Sequence, residues 1–221
     1  MTRLVDDVLQ NLRKLVLRMG GLAEAILQKS LDAVARRDGE LVEEVARDDL
    51  AIDRLDVEID DAVLKALALQ APVAEDLREV IAIKMIATDL ERVGDIARNI
   101  AKCARRLGEH SPVSPPPEFA SLSRDAQGIL RKALDAFGQS DVAAARAVLA
   151  LDDGIDDQQD EIVRRLVEDM PNRPDESSQA VDLIFIAKNL ERVADHATNI
   201  AEDVILVVEA RNVKHASKLG G

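Results

Sequence analysis

The chain of 221 residues has room for one large domain or two of about 100 residues each. Its 47% of apolar side chains can fill a core, while the scarcity of aromatic residues and the abundance of Leu, Ala, Glu and Arg favour helix over sheet. A formal net charge of −13 repels phosphate backbones and argues against DNA or RNA as a partner, and a lone cysteine, Cys103, rules out an internal disulfide and suits a reducing compartment.

The N-terminal string MTRLVDDVLQNLRKL carries Asp6 and Asp7 where a secretory leader needs an apolar run. No uninterrupted apolar stretch approaches a membrane span, VILVV at 204–208 being among the longest, so a soluble, cytoplasmic protein is expected. Apolar residues recur at three- and four-residue spacing almost throughout, and strand signals are absent. The spacing predicts a first helix over 3–37, closed by the cap-like pair Asp38–Gly39, and a second over 40–69, closed by Pro72. A third runs over 73–108 into the proline-rich linker 109–117. Beyond it, helices over 118–137 and 141–169 flank Gly138–Asp141, and a last helix over 175–213 follows PNRP at 171–174. The remainder, from Lys214, reads as a tail.

This series contains a duplication. Ile86–Ala101 aligns with Ile186–Ala201 at an offset of 100, and eleven of the sixteen residues are identical. Earlier in the chain the offset is 103: Leu31–Ala33 matches Leu134–Ala136, Asp38 matches Asp141, and Asp49-x-x-Ile52-Asp53 matches Asp152-x-x-Ile155-Asp156. The three-residue difference falls between the second and third helices of each copy, where a loop absorbs it. An all-α fold follows, with two tandem antiparallel three-helix bundles over 1–108 and 118–215.

What the copies share includes polar groups that exposed helix positions are free to lose. On a wheel of about 100° per residue, Leu90, Val93, Gly94, Ala97, Ile100 and Ala101 form the core stripe. Glu91 and Asp95 lie together on its flank, and Glu191 with Asp195 repeats them. On the preceding helix, Asp49 and Asp53 sit beside the stripe of Ile52, Leu55 and Ile59, with Asp56 and Asp60 continuing the ridge. Asp152 and Asp156 are their counterparts. Antiparallel packing would bring each acidic pair to face another, as four carboxylates per unit. Like charges at i,i+4 cost a helix roughly 0.2–0.5 kcal/mol per pair, a cost that a bound cation reverses. All-oxygen ligands suit hard ions such as Mg²⁺, Mn²⁺, Ca²⁺ or ferric iron, and bridging carboxylates suit more than one ion.

Against this stands the plain solvated face, the usual fate of one acidic i,i+4 pair, and an ion pair between Asp95 and Arg98. Position 198 is Thr, so the second copy keeps the acid without that arginine, while Arg92 and Arg192 are common to both. His196 faces Ile96 across the alignment and reads as a packing or hydrogen-bonding residue; His110 and His215 fall in the linker and tail. Cys103 reads as a small buried residue. Glu-x-x-His is missing from the motif helices, as are phosphate loops, nucleophile elbows and zinc spacings.

The paired strings LERVGDIARNIA and LERVADHATNIA, with DLREVIAIKMIATD leading into the first, resemble the PhoU family of phosphate-transport regulators over nearly the whole chain. The resemblance implies two similar three-helix bundles carrying multinuclear clusters of iron, manganese, magnesium or zinc. Their ligands would be Asp49, Asp53, Glu91 and Asp95, then Asp152, Asp156, Glu191 and Asp195. It also implies a non-catalytic negative regulator of phosphate uptake and of the phosphate-starvation response. Such an adaptor couples the ATP-binding subunit of the phosphate ABC transporter to a phosphate-sensing histidine kinase. A homodimer is one expected assembly, and the membrane is reached only through those partners. Gln158, standing where the first copy has Leu55, departs from the pattern. The competing readings are a carboxylate-bridged, phosphohydrolase-like metalloenzyme and a metal-free helical scaffold.

Overall fold

A computed structural model describes residues 4–214, and among them every regular element is helical. The helices are α1 (Leu4–Arg36), α2 (Gly39–Gln70), α3 (Ala74–Gly108), α4 (Glu118–Gln139), α5 (Val142–Leu149), α6 (Asp152–Asp169) and α7 (Ser177–Glu209). The tail beyond Lys214, His215 included, lies outside the described residues. No helix among them is long and apolar enough to cross a membrane.

All six predicted helices are present, but the fifth is broken in two at Ala150–Leu151. There the Leu151 amide donates to the Val148 carbonyl at 3.0 Å, tightening the last turn of α5. Asp152 and Asp153 then open α6, where the positive end of a helix favours acidic side chains. The PNRP break folds as two 3-10 turns, Met170–Asn172 and Pro174–Glu176, because each proline lacks the amide that an α-helix interior needs, and the sixth predicted helix is α-helical from Ser177. It ends at Glu209, four residues before the predicted end, and the left-handed Ala210 caps it.

The duplication reappears in the caps. Asp38 and Asp141 share an extended backbone, at φ −95° and −93°, and each side chain accepts an amide of the turn that follows. Arg37, at φ 55°, reverses the chain between α1 and α2. Its guanidinium donates to the carbonyls of Leu107 and His110, both at 2.9 Å, and so also closes α3.

Within each half the helices pack on one another: α1, α2 and α3 in the first, α4 to α7 in the second. The halves are joined chiefly by α3 against α7 and also by α1 against α4. Arg106, late in α3, meets Asp182, early in α7, whereas Asp89 meets Asn199; the two long helices therefore run antiparallel. One apolar cluster, including Leu12, Ile52, Leu90, Leu122, Ile162 and Leu190, continues through both halves. Gly20 lets α1 approach α4, since a Cβ there would lie 2.6 Å from Leu134 Cδ2.

Candidate metal centres

In the first half, α2 and α3 carry the acidic pairs along one seam. Asp49 is 2% exposed, not on the open flank that the wheel gives it. The reason is Gly94, whose missing side chain leaves room: a Cβ there would lie 3.0 Å from Asp49 Oδ1 and 3.2 Å from Ile52 Cδ1. The buried carboxylate is answered by Arg98, whose Nη1 donates to Asp49 Oδ2 at 2.6 Å while Nη2 donates to Asp95 Oδ1 at 2.9 Å. One guanidinium thus ties α2 to α3. Further along the seam, Lys84 Nζ lies 3.1 Å from Asp56 Oδ1 and 2.5 Å from Asp60 Oδ1. Between these cations stand Asp53 and Glu91. Burial and then Asp95 push the Glu91 carboxyl up, with Asp56 and Asp53 adding to the effect and Arg92 opposing it. Burial also pushes Asp49 up, against the lowering field of Arg98.

The second seam is built from the same acids without those two cations. Thr198 replaces Arg98 and turns its hydroxyl to the Asp195 carbonyl at 2.7 Å, and Ile184 replaces Lys84. Asp152 Oδ1 is sheltered from solvent and has no hydrogen-bond partner. Burial, followed by the fields of Asp156, Asp195, Asp153 and Glu202, pushes Asp152 up to about 6. Burial and Asp195 act in the same direction on Asp156 and on Glu191. Gln158, in the place of Leu55, donates to Asp125 Oδ2 on α4 at 2.9 Å, while its Oε1 is sheltered without a hydrogen-bond partner.

Both seams therefore bring the acids of adjacent helices into each other's field. Neither closes them on one point: among the described residues, no three His, Cys, Asp or Glu side chains are grouped to hold a metal ion. Tested against a metal, the two seams differ. Arg98 fills the space between Asp49 and Asp95, whereas the second seam keeps an orphaned, sheltered carboxylate oxygen on Asp152.

The model of the PhoU domain matches the chain twice, over residues 16–104 and 119–204. The chain belongs to the PhoU family. A phosphate-specific transport system accessory protein PhoU homolog of Caulobacter vibrioides is 40% identical over 197 residues, spanning 89% of this chain and 86% of the relative. The crystal structure of PhoU from Pseudomonas aeruginosa superposes with a TM-score of 0.89 at 32% identity, over 93% of this chain and 99% of that one. The crystal structure of the phosphate transport system regulatory protein PhoU from Streptococcus pneumoniae gives 0.87 at 28% identity, over 94% and 98%.

The PhoU repeat explains the paired acids but not the polar contacts between the repeats. His196 Nδ1 lies 2.7 Å from Asp89 Oδ1, and Asn199 Nδ2 donates to the same oxygen at 3.1 Å. His196 is thus a bonding residue at the α3–α7 contact. Asp203 on α7 is fully buried, and burial pushes it up to about 6 even with the Lys214 ammonium 3.0 Å from Oδ1. That ammonium stands at ion-pair distance without hydrogen-bond alignment. At the opposite end of the contact, Arg106 donates to Asp182 through Nε at 2.7 Å and to Cys103 Sγ at 3.0 Å. Burial raises the Cys103 thiol, in keeping with a packed, unreactive residue. Comparison of the copies holds a signal for these groups: polar Asp89, Asp182 and Asp203 align with Asn189, Ala82 and Cys103, which marks positions where the halves no longer need to match.

Proposed function

We propose that this protein is a cytoplasmic accessory of the phosphate-specific transport system and a negative regulator of phosphate uptake and of the phosphate-starvation response. It does so without catalytic turnover, by docking to the transporter's ATP-binding subunit and to the phosphate-sensing histidine kinase. The observation that carries the reading is the double PhoU match, together with relatives over nearly the full length that are called phosphate-specific transport system accessory proteins. The site geometry favours an adaptor over an enzyme. An apolar recess of about 520 Å³ lies beneath Pro115–Pro117 and beside Phe119, and none of the eight seam acids lines it.

The seams supply a surface suited to docking once neutralised. Arg92 and Arg192 are exposed at equivalent places, and Arg92 lies 3.4 Å from both Glu91 Oε2 and Asp95 Oδ2. Where a metal is bound, Asp152, Asp156, Glu191 and Asp195 would hold it, and its charge would let an otherwise repulsive acidic ridge be covered by a partner.

Deletion of the gene should raise expression of phosphate-starvation genes in abundant phosphate; unchanged expression would remove the regulatory role. Charge reversal at Arg92 and Arg192 together should weaken capture of the ATP-binding subunit or the kinase while circular dichroism shows unchanged helicity. Full capture of both would move the docking surface away from the arginines.

A further inference from the structure

We propose that Arg98 is a built-in counter-cation that keeps metal out of the first seam, so that the two halves of this duplicated chain load metal unequally. This rests on the reading of the second seam as metal-binding, and adds that the first, with the same four acids, does not share that role. Three observations carry it. Asp49, the most deeply placed of the eight acids, is nine-tenths buried and already satisfied by a guanidinium. That guanidinium also holds Asp95, so its charge occupies the gap between α2 and α3 where an ion bridging the helices has to sit. At the far end of the same seam Lys84 draws in Asp56 and Asp60.

A cation entering here must either displace Arg98 or share the gap with it. Displacement breaks two charge-assisted hydrogen bonds, one of them to a buried carboxylate; sharing places two positive charges in contact. The second seam has Ile184 and Thr198 at the positions of Lys84 and Arg98, so neither of those two cations stands in it. Arg92 and Arg192 do not distinguish the halves, being exposed and equivalent in both.

The discriminating experiment exchanges the two residues. Wild-type protein, Arg98→Thr, Thr198→Arg and the double exchange are titrated with Mn²⁺, bound metal is measured by equilibrium dialysis, and the site is located by paramagnetic broadening of backbone amide signals. Wild-type protein should lose the signals around Asp152, Asp156 and Asp195 while keeping those around Asp49 and Asp95. Thr198→Arg should abolish binding, Arg98→Thr should add a site at the first seam, and the double exchange should move the metal there. Arg98→Gln leaves Asp49 a hydrogen-bond donor and replaces Arg98→Thr if the latter does not fold. Broadening at both seams of the wild-type protein, or binding at the first seam that ignores residue 98, overturns the inference and leaves the metal reading standing. Absence of Mn²⁺ binding from the wild type and from both Arg98 variants overturns the two together.

Discussion

The two acidic seams began as copies and now solve one electrostatic problem differently. Four carboxylates on adjacent helices repel, and burial sharpens the repulsion because it removes the water that screens it. The first seam resolves this internally: Gly94 admits Asp49 beneath α3, and Arg98 and Lys84 supply the positive charge. The second, with Ala194, Thr198 and Ile184 in those places, leaves Asp152 less deeply set, with an unanswered oxygen and a raised pKa. A motif retained twice thus need not do the same thing twice; what differs is the charge one turn away.

The comparison can be broken most directly at residue 98. Replacing Arg98 with Ala strands a buried carboxylate and should cost about 2–3 kcal/mol in urea unfolding, the usual loss on breaking a buried pair, lessened because the arginine is itself partly exposed. Thr198→Ala should cost less than about 0.5 kcal/mol, its hydroxyl bonding only within its own helix. Equal losses would mean that Arg98 does not set the seams apart.

A second asymmetry is sharpened by pH. Asp203 is buried where the first half has Cys103, and its carboxyl is raised from 3.8 to about 6. Between those values the folded chain holds a proton that the unfolded chain has released, so stability falls as pH rises through the window. The cost is complete above pH 6 and absent below the unfolded value. Asp203→Asn should therefore stabilise the protein by about 2 kcal/mol at pH 8 and change little near pH 4. A gain independent of pH would exclude this titration as its source.

The caps should show where the halves remain alike. Asp38→Ala and Asp141→Ala should each lower stability by about 1 kcal/mol, since the same amide-accepting geometry is lost in both. A smaller effect than at the caps is expected at Gly94. An added methyl gains helix propensity but presses on Asp49 Oδ1 and Ile52 Cδ1, leaving a net loss below about 1 kcal/mol in thermal unfolding. A gain would show that Asp49 has room to move.

The fold was largely legible because apolar periodicity, Asp caps and a proline-rich break are local signals, and the duplication tested the first two of them twice. The seams were legible in part. The i,i+4 spacing found the acids and the Thr at 198 flagged the missing arginine, but a wheel treats each helix as isolated. It therefore placed Asp49 on a flank, when its burial is decided by the absence of a Cβ on another helix. The break at Ala150–Leu151 left no trace in the pattern, because the apolar residues stay in phase across it. The α3–α7 polar contacts escaped for a related reason: they join residues about one hundred positions apart, and no local spacing encodes that pairing.

The antiparallel contact of α3 with α7 also bears on how such a chain can arise. These are the two helices that carry the repeated motif, so a chain of half the length, with one copy, would expose the face that the other copy now covers. Pairing with a second molecule of itself would reproduce the same antiparallel contact about a two-fold axis. Joining the copies through the segment between α3 and α4 makes that association intramolecular and independent of protein concentration. It also releases the two faces from identity: once the axis is only approximate, Asp89 can face His196 while its counterpart Asn189 bonds the Phe185 carbonyl of its own helix. The same release lets one seam gain an arginine that a symmetric pair would have had to accept on both sides.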